Sequence, residues 1–188
     1  RPACERTKMP PVVKPEAVLK RSEELINVGQ ASAALQALHE FTFSRRFKQG
    51  PSSSLEPLME RFMELCVDQR RGRAAKDALM QYKNAFQNTD PQSIRNVTRH
   101  FLKHADAKVA EARSRADAAN EELDVDDLEE SETPESILLG SVSQDQERDR
   151  TDRTLVTPWL KFLWEAYRTA LDILKNNTRL EMAYQQIA

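Results

Sequence analysis

Apolar residues recur every three or four positions along most of the chain, a spacing that predicts amphipathic helices. The first helix is predicted to open at Pro15 and to end at Gly29, which can adopt the left-handed conformation of a helix C-cap. A second helix follows at once, and the short connection favours an antiparallel hairpin. The two apolar stripes consist of Val18, Leu19, Leu25 and Ile26, and of Ala31, Ala34, Leu35, Leu38, Phe41 and Thr42.

The same pattern returns between residues 54 and 86. Ser54 is predicted to cap a third helix and Gly72 to end it, before a fourth helix runs back beside it. The stripes are Leu58, Phe62, Leu65 and Cys66, and Ala75, Ala78, Leu79, Tyr82 and Phe86. One hairpin cannot bury its apolar face alone, so two in series favour stacking. We therefore predict an all-α fold, a right-handed superhelix of stacked antiparallel helical hairpins of the TPR or HEAT type.

A fifth helix is predicted to begin at Asp90 and Pro91, with apolar positions at Ile94, Val97, Phe101, Leu102, Ala105 and Val109. Beyond Val109 only a thin alanine stripe remains, so we expect this far half to project or fray. Residues 119–150 are dense in Asp and Glu and predict a mostly flexible acidic linker. The alternative role of this stretch is a docking peptide, because single apolar residues punctuate the acids.

A charged run from Asp149 then passes directly into an aromatic-rich helix. Thr157 is predicted to be its N-cap and Pro158 its first helical residue. The helix has two apolar stripes, so we expect it to contact neighbours on two sides. They consist of Leu160, Leu163, Trp164, Tyr167, Leu171 and Leu174, and of Trp159, Phe162, Ala166 and Ile173. We predict a structural core formed by Trp159, Leu163, Trp164, Tyr167 and Leu171.

The last predicted helix opens with a capping box formed by Thr178 and Glu181 and stops at Ala188, as expected for part of something longer. The organisation predicted for the chain has four parts. They are a disordered extension at 1–13, hairpin repeats at 14–118, the acidic linker at 119–150 and a continuation of the repeats at 151–188.

Composition excludes several function classes. The four glycines are isolated among 188 residues, so no Gly-rich phosphate cradle, dinucleotide fingerprint or nucleophile elbow is present. We therefore predict no enzymatic activity, no cofactor and no small-molecule substrate. Cys4 and Cys66 form no CxxC motif, which favours a reducing compartment, the cytoplasm, and a core role for Cys66. No apolar run is long enough to cross a bilayer, so we expect no membrane partner.

His100 and His104 are four residues apart, a spacing that lets two imidazoles share a metal ion. No third ligand is evident beside them, and no carboxylate between them is placed as a catalytic base. We therefore predict no metal site and assign both residues to a solvated polar face.

Two basic runs are the candidate binding residues of the chain. The first contains Arg45, Arg46 and Lys48, and the second contains Arg70, Arg71 and Arg73. Cations at helix ends can simply be stabilised by the negative, C-terminal end of the helix dipole. If the stacked hairpins bring both runs to one rim, however, they form a patch that can bind the phosphates of RNA.

Five blocks of residues, in order, carry a resemblance to a known family. They are Lys14–Arg21, Glu64–Asp68, Gln81–Asn84, Thr133–Ser136 and, most specific, Asp149–Glu165. The chain resembles the N-terminal region of the family formed by the A subunit of eukaryotic translation initiation factor 3. That family is similar to PCI proteins, in which a superhelix of hairpins precedes a winged-helix module.

The resemblance implies a noncatalytic scaffold subunit of initiation factor 3 in the cytoplasm. Its expected partners are other subunits of the factor, especially the C subunit, and the small ribosomal subunit through protein or rRNA, with mRNA as a further candidate. Two alternatives remain open. One is a generic PCI scaffold of a proteasome-lid or signalosome complex, and the other is an RNA-binding adaptor in which the basic patch is primary.

Overall fold

The computed structural model describes residues 15–45, 47, 50–126, 152–175 and 178–187. These residues form helices joined by turns and contain no β-strand. The helices are α1 (Pro15–Asn27), α2 (Ala31–Thr42), α3 (Ser52–Asp68), α4 (Gly72–Phe86), α5 (Pro91–Asp126), α6 (Thr157–Leu174) and α7 (Glu181–Ile187). The predicted extension at 1–13 and most of the predicted acidic linker lie outside the described residues.

The first four helices form two antiparallel hairpins that share one core. α1 packs against α2, α3 packs against α4, and the hairpins meet through α1, α2 and α3. Every apolar position predicted for α4 is buried, namely Ala75, Ala78, Leu79, Tyr82 and Phe86. Full burial of a large apolar side chain contributes about 1.5 to 3 kcal/mol relative to exposure. The predicted all-α fold of stacked helical hairpins is confirmed.

The turn between α1 and α2 has the backbone predicted for it. Gly29 has a φ of +83°. Its N–H donates to the carbonyl of Ile26 at 2.8 Å, and the N–H of Gln30 donates to the carbonyl of Leu25 at 2.8 Å. These two bonds form a Schellman motif, so Gly29 is the C-cap that the sequence predicted.

The turn between α3 and α4 has the same geometry but a different residue at its centre. Arg70 has the positive φ, at 53°. Its N–H donates to Val67 at 2.9 Å, and the N–H of Arg71 donates to Cys66 at 2.7 Å. The prediction that Gly72 ends α3 is wrong, because Gly72 is the first residue of α4. The chain reverses earlier because α3 holds both Cys66 and Val67 in the core and ends immediately after them.

The start of α3 also differs from the prediction. α3 begins at Ser52, after Pro51 in extended conformation, so Ser54 is not its cap. Ser52 Oγ instead donates to Asp90 Oδ2 at 2.9 Å, which joins the starts of α3 and α5. Asp90 Oδ1 accepts a hydrogen bond from the N–H of Ser93 at 3.3 Å and caps α5, in agreement with the predicted start of that helix.

α5 is the longest helix, with 36 residues, which corresponds to a length of about 54 Å. Its predicted apolar positions through Val109 are buried. We expected α5 to project or fray beyond Val109. This expectation is wrong for the segment up to Ala116, because Ala112 and Ala116 are buried as well. A π-helical turn at Asp152–Val156 also packs against α5. The helix backbone continues to Asp126, beyond the predicted boundary at residue 118.

α6 follows the π-helical turn and packs against α5. Its N-cap position is taken by Val156, so Thr157 is the first helical residue and not the predicted cap. Pro158 lies within the first two helical positions, as predicted. α6 buries Phe162, Ala166, Ala170, Ile173 and Leu174. α7 packs against α6 and buries Ala183.

Candidate partner-binding surface

The α3–α4 turn places the second basic run at the surface. Arg70, Arg71 and Arg73 are all exposed. The guanidinium carbon of Arg70 lies 5.5 Å from the ring centroid of Trp159, at the start of α6. A cation at this distance is attracted to the face of the indole ring. The turn is therefore held against α6, and its charges lie beside the aromatic residues of that helix.

Ring contacts between α6 and α5 hold Trp159, which the α3–α4 turn contacts. Trp159 meets Phe162 edge to face, with ring centroids 6.3 Å apart, and Phe162 meets Phe101 of α5 in the same way at 6.5 Å. Among the residues predicted to form the core, Trp159, Leu163 and Tyr167 are only partly buried and pack against the hydrophobic core. Leu171 is also partly buried. The buried positions include Phe162, Ala166 and Ile173 of the second predicted stripe, together with Leu174 of the first stripe and Ala170 of neither.

Trp164 does not lie in the core, and the prediction that it does is wrong. Its side chain is 65% exposed, and Leu160, one turn earlier, is 38% exposed. α6 turns Phe162 and Ala166 inward, and a residue two positions from each of them must lie on the opposite side of the helix. The guanidinium carbon of Arg168 lies 5.5 Å from the Trp164 ring centroid. Trp164 is thus an exposed aromatic side chain with a cation against its face.

A groove of about 270 Å³ runs between the first half of α4 and α6. Arg73 and Lys76 line it from α4, while Trp164, Arg168 and Asp172 line it from α6. Lys76 Nζ and Asp172 Oδ2 are 3.9 Å apart across the groove. We call the groove together with Leu160 the Trp164 surface. It combines an exposed tryptophan with arginines at its edge, the residue types that dominate binding energy at protein interfaces.

Arg45, the described cation of the first basic run, lies at the opposite end of α3 from the second basic run. Arg45 is exposed at the end of α2, whereas Arg46 and Lys48 lie outside the described residues. Phe47, between them, is buried against Phe86, with ring centroids 6.2 Å apart, at the end of α4. The second run lies at the beginning of α4. The length of α3, about 25 Å, separates Arg45 from the second run, because Arg45 precedes that helix and the second run follows it.

His100 and His104 join α5 to α3. His100 Nε2 lies 3.5 Å from Glu64 Oε1, and His104 Nε2 lies 3.3 Å from Asp68 Oδ1. Lys108 Nζ also lies 3.2 Å from Asp68 Oδ1, and this hydrogen bond is the largest cause of the raised pKa of Lys108. Both side chains are partly exposed, at 33% and 28%, on a polar face that α5 shares with α3. The part of the chain that the structure describes brings no three His, Cys, Asp or Glu residues together in a metal-binding cluster.

A polar network is buried between α3, α4 and α5. The Tyr82 hydroxyl hydrogen-bonds Ser93 Oγ. Ser93 Oγ lies 3.0 Å from Glu56 Oε2, and Asn96 Nδ2 donates to Glu56 Oε1 at 2.9 Å. Burial is the main cause that raises the pKa of Tyr82 to about 12. Because its members bond one another and Tyr82 is fully buried, we assign the network to positioning α4 and α5 rather than to binding.

Sequence reasoning missed the Trp164 surface because it placed Trp164 in the core. The available signal was the pair Trp164 and Arg168, which are four residues apart and hence neighbours on a helix surface. Such a pair is more typical of an exposed face than of a core. In addition, none of the helices in the described ranges is both long and apolar enough to cross a membrane.

Comparison with known proteins gives consistent matches over nearly the whole chain. A family model described as "eIF3a, PCI domain, TPR-like region" matches residues 16–188. The chain is 73% identical over 180 residues to a protein of Mycosarcoma maydis that is named as the A subunit of eukaryotic translation initiation factor 3. This match covers 96% of the chain and 18% of the relative.

Two further relatives carry the same name. The protein of Aspergillus niger is 58% identical over 186 residues, and that of Aspergillus terreus is 57% identical over 186 residues. Each match covers 95% of the chain and 18% of the relative. The chain therefore spans less than a fifth of the length of the relatives that it matches.

Proposed function

Because the chain belongs to the eIF3a PCI, TPR-like family, we propose that it is the helical-repeat part of a noncatalytic scaffold subunit of translation initiation factor 3. Its role is to hold other subunits of the factor, the C subunit in particular, and to attach the complex to the small ribosomal subunit in the cytoplasm. Family membership removes the alternative of a proteasome-lid or signalosome protein.

The observation that carries this proposal is the exposure of Trp164 on a well-packed helix. A tryptophan that is 65% exposed leaves a large apolar side chain in water, whereas α6 buries smaller residues such as Ala166 and Ala170. Burying such a side chain against a partner is among the most favourable contacts at protein interfaces. Exposed Leu160 extends the same face, and Arg73 and Arg168 supply charge at its edge. A subunit-binding surface has this composition.

The arrangement of the helices suits a scaffold. Stacked hairpins present residues from several helices on one continuous surface, and each hairpin is fixed by the packing of its neighbours. Arg70, Arg71 and Arg73 at the α3–α4 turn are the cations that we assign to ribosome attachment, through ribosomal protein or rRNA. Arg45, Arg46 and Lys48 remain a separate candidate contact, and of these Arg45 is separated from that turn by α3.

The experiment that tests the assignment is affinity capture by the tagged chain from nuclease-treated cytoplasmic extract, read by mass spectrometry. We expect recovery of initiation factor 3 subunits and small-subunit ribosomal proteins. Recovery of proteasome-lid or signalosome subunits, or loss of every partner after nuclease treatment, would contradict the proposal. The second outcome would favour the RNA-binding adaptor instead.

A separate charge-reversal variant tests ribosome attachment. Reversing the charge of Arg70, Arg71 and Arg73 to Glu is expected to reduce cosedimentation with purified small ribosomal subunits while helicity stays intact. The matched control reverses Lys20, Arg21 and Arg113, which are exposed cations of α1 and α5. Equal cosedimentation of the wild type and both variants would remove the α3–α4 turn from the proposal.

A further inference from the structure

A second groove, separate from the Trp164 surface, lies where α5 meets α6 and α7, with a volume of about 440 Å³. Arg95, Arg99 and Lys103 line it from α5, Tyr167 from α6 and Gln186 from α7. The three cations are four residues apart and hence lie on one side of α5. Successive charges are about 6 Å apart along the helix axis, a spacing comparable with that of successive phosphates in an extended nucleic-acid strand.

These cations are not neutralised within the described ranges. None of the three has a carboxylate oxygen within ion-pair distance there, although Lys108 and Arg115, farther along α5, pair with Asp68 and Glu111. The Nε of Arg95 is enclosed and has no hydrogen-bond acceptor. A partly buried guanidinium without a carboxylate partner is costly in the free protein. An anionic ligand on its outer nitrogens would compensate this charge.

The remaining groups of the groove are also oriented for a ligand. The Tyr167 hydroxyl donates to Asp106 Oδ2 at 3.0 Å, which holds the half-buried ring in the groove wall and engages the groove's carboxylate. Arg99 Nη2 donates to Gln186 Oε1 at 3.0 Å. That bond leaves the amide nitrogen of Gln186 as a donor toward the groove. An aromatic face, an amide and a row of cations are thus brought together.

We propose that this groove binds single-stranded RNA, with phosphates along Arg95, Arg99 and Lys103 and a base against Tyr167. Single-strand sites in general combine a positively charged groove with an aromatic side chain on which a base stacks. An acidic amphipathic peptide fits less well because it needs exposed apolar surface. Of the apolar residues in this groove, Leu102 and Ala183 are buried within the protein, and Ile187 is partly buried against the core. The proposal does not depend on the subunit-binding role of the Trp164 surface.

The test is equilibrium binding of a fluorescein-labelled oligouridylate to the 188-residue chain, measured by fluorescence anisotropy over a series of salt concentrations. Replacement of Arg95, Arg99 and Lys103 by Gln is expected to weaken binding about tenfold or more and to lower the slope of log affinity against log salt by about 2. Tyr167→Phe is expected to retain more affinity than Tyr167→Ala, because only phenylalanine keeps the stacking face.

The matched control replaces Lys20, Arg21 and Arg113 by Gln, which removes the same charge from exposed positions outside the groove. It is expected to bind like the wild type. Lys103→Glu tests the groove with little risk to folding, because Lys103 is exposed and has no ion-pair partner among the described side chains. Unchanged affinity of Lys103→Glu, equal loss in the control, absence of oligouridylate binding, or tighter binding of polyglutamate than of RNA would each overturn the proposal.

Discussion

Gly29 and Arg70 occupy equivalent positions in the two hairpin turns, and both have left-handed backbone although only Gly29 lacks a Cβ atom. A side chain in this conformation costs about 1 to 2 kcal/mol. The guanidinium of Arg70 lies against Trp159, an exposed cation–π contact that recovers about 0.5 to 1 kcal/mol. The strained residue therefore joins the α3–α4 turn to α6, whereas the Gly29 turn has no such contact among the described residues.

The glycine turn gives the first prediction. Gly29→Ala is expected to lower the free energy of unfolding by about 1 kcal/mol, because Ala must hold φ near +83°. Apart from the adjacent residues, no heavy atom lies within 4 Å of the added Cβ, so the loss arises from the backbone alone. Gly29→Asn is the control and should cost less, since Asn tolerates the left-handed region. Urea denaturation of both variants measures this difference. Equal stability of Gly29→Ala and the wild type would contradict the assigned turn.

The orientation of α6 gives the second prediction. Trp164→Ala is expected to change the free energy of unfolding by no more than about 0.5 kcal/mol, because the side chain is exposed. Phe162→Ala, two residues earlier, is expected to cost about 3 to 5 kcal/mol because its ring is buried. Urea denaturation of the two variants compares the faces directly. A larger loss in Trp164→Ala than in Phe162→Ala would mean that α6 is rotated.

The buried network around Tyr82 predicts a pH dependence of the free energy of unfolding. Burial, with a contribution from the charge of Glu56, raises the pKa of Tyr82 from 10.0 to about 12. A pKa that is higher in the folded state than in the unfolded state stabilises the fold fully below pH 10, and this contribution is lost between pH 10 and 12. The free energy of unfolding should therefore fall more steeply with pH in the wild type than in Tyr82→Phe. Parallel curves across this window would exclude a buried, titrating Tyr82.

The burial of Cys66 predicts that its thiol is protected from alkylation. Desolvation is the main cause that raises its pKa from 9.0 to about 12, and its side chain is fully buried. In a Cys4→Ser background, where Cys66 is the remaining thiol, alkylation by iodoacetamide at about pH 8 should be slow in the native state and fast in urea. Rapid alkylation of the native protein would contradict the burial of α3.

Local periodicity was sufficient to predict the core of the hairpins. The stripe of α4 was predicted in full because its large apolar residues other than Met80 lie on one face. α6 has two apolar stripes, and its contacts with α4 and α5 decide that Phe162 faces inward and Trp164 outward. The C-cap at Arg70 was missed because glycine is the residue expected there and Gly72 lies two positions away. Packing of the π-helical turn on α5 joins segments far apart in sequence, which a local pattern does not reveal.

We propose that the Trp164 surface holds another subunit of translation initiation factor 3. The most direct test of this proposal is the equilibrium affinity of the purified chain for the purified C subunit, measured by biolayer interferometry for the wild type and Trp164→Ala. Phe43→Ala, which truncates an aromatic side chain that is 44% exposed at the end of α2, is the matched control.

We predict that Trp164→Ala weakens this affinity about thirtyfold or more, in the range of interface residues that dominate binding, while Phe43→Ala binds like the wild type. Unchanged affinity of Trp164→Ala for the C subunit, in a variant that remains folded, would contradict the account.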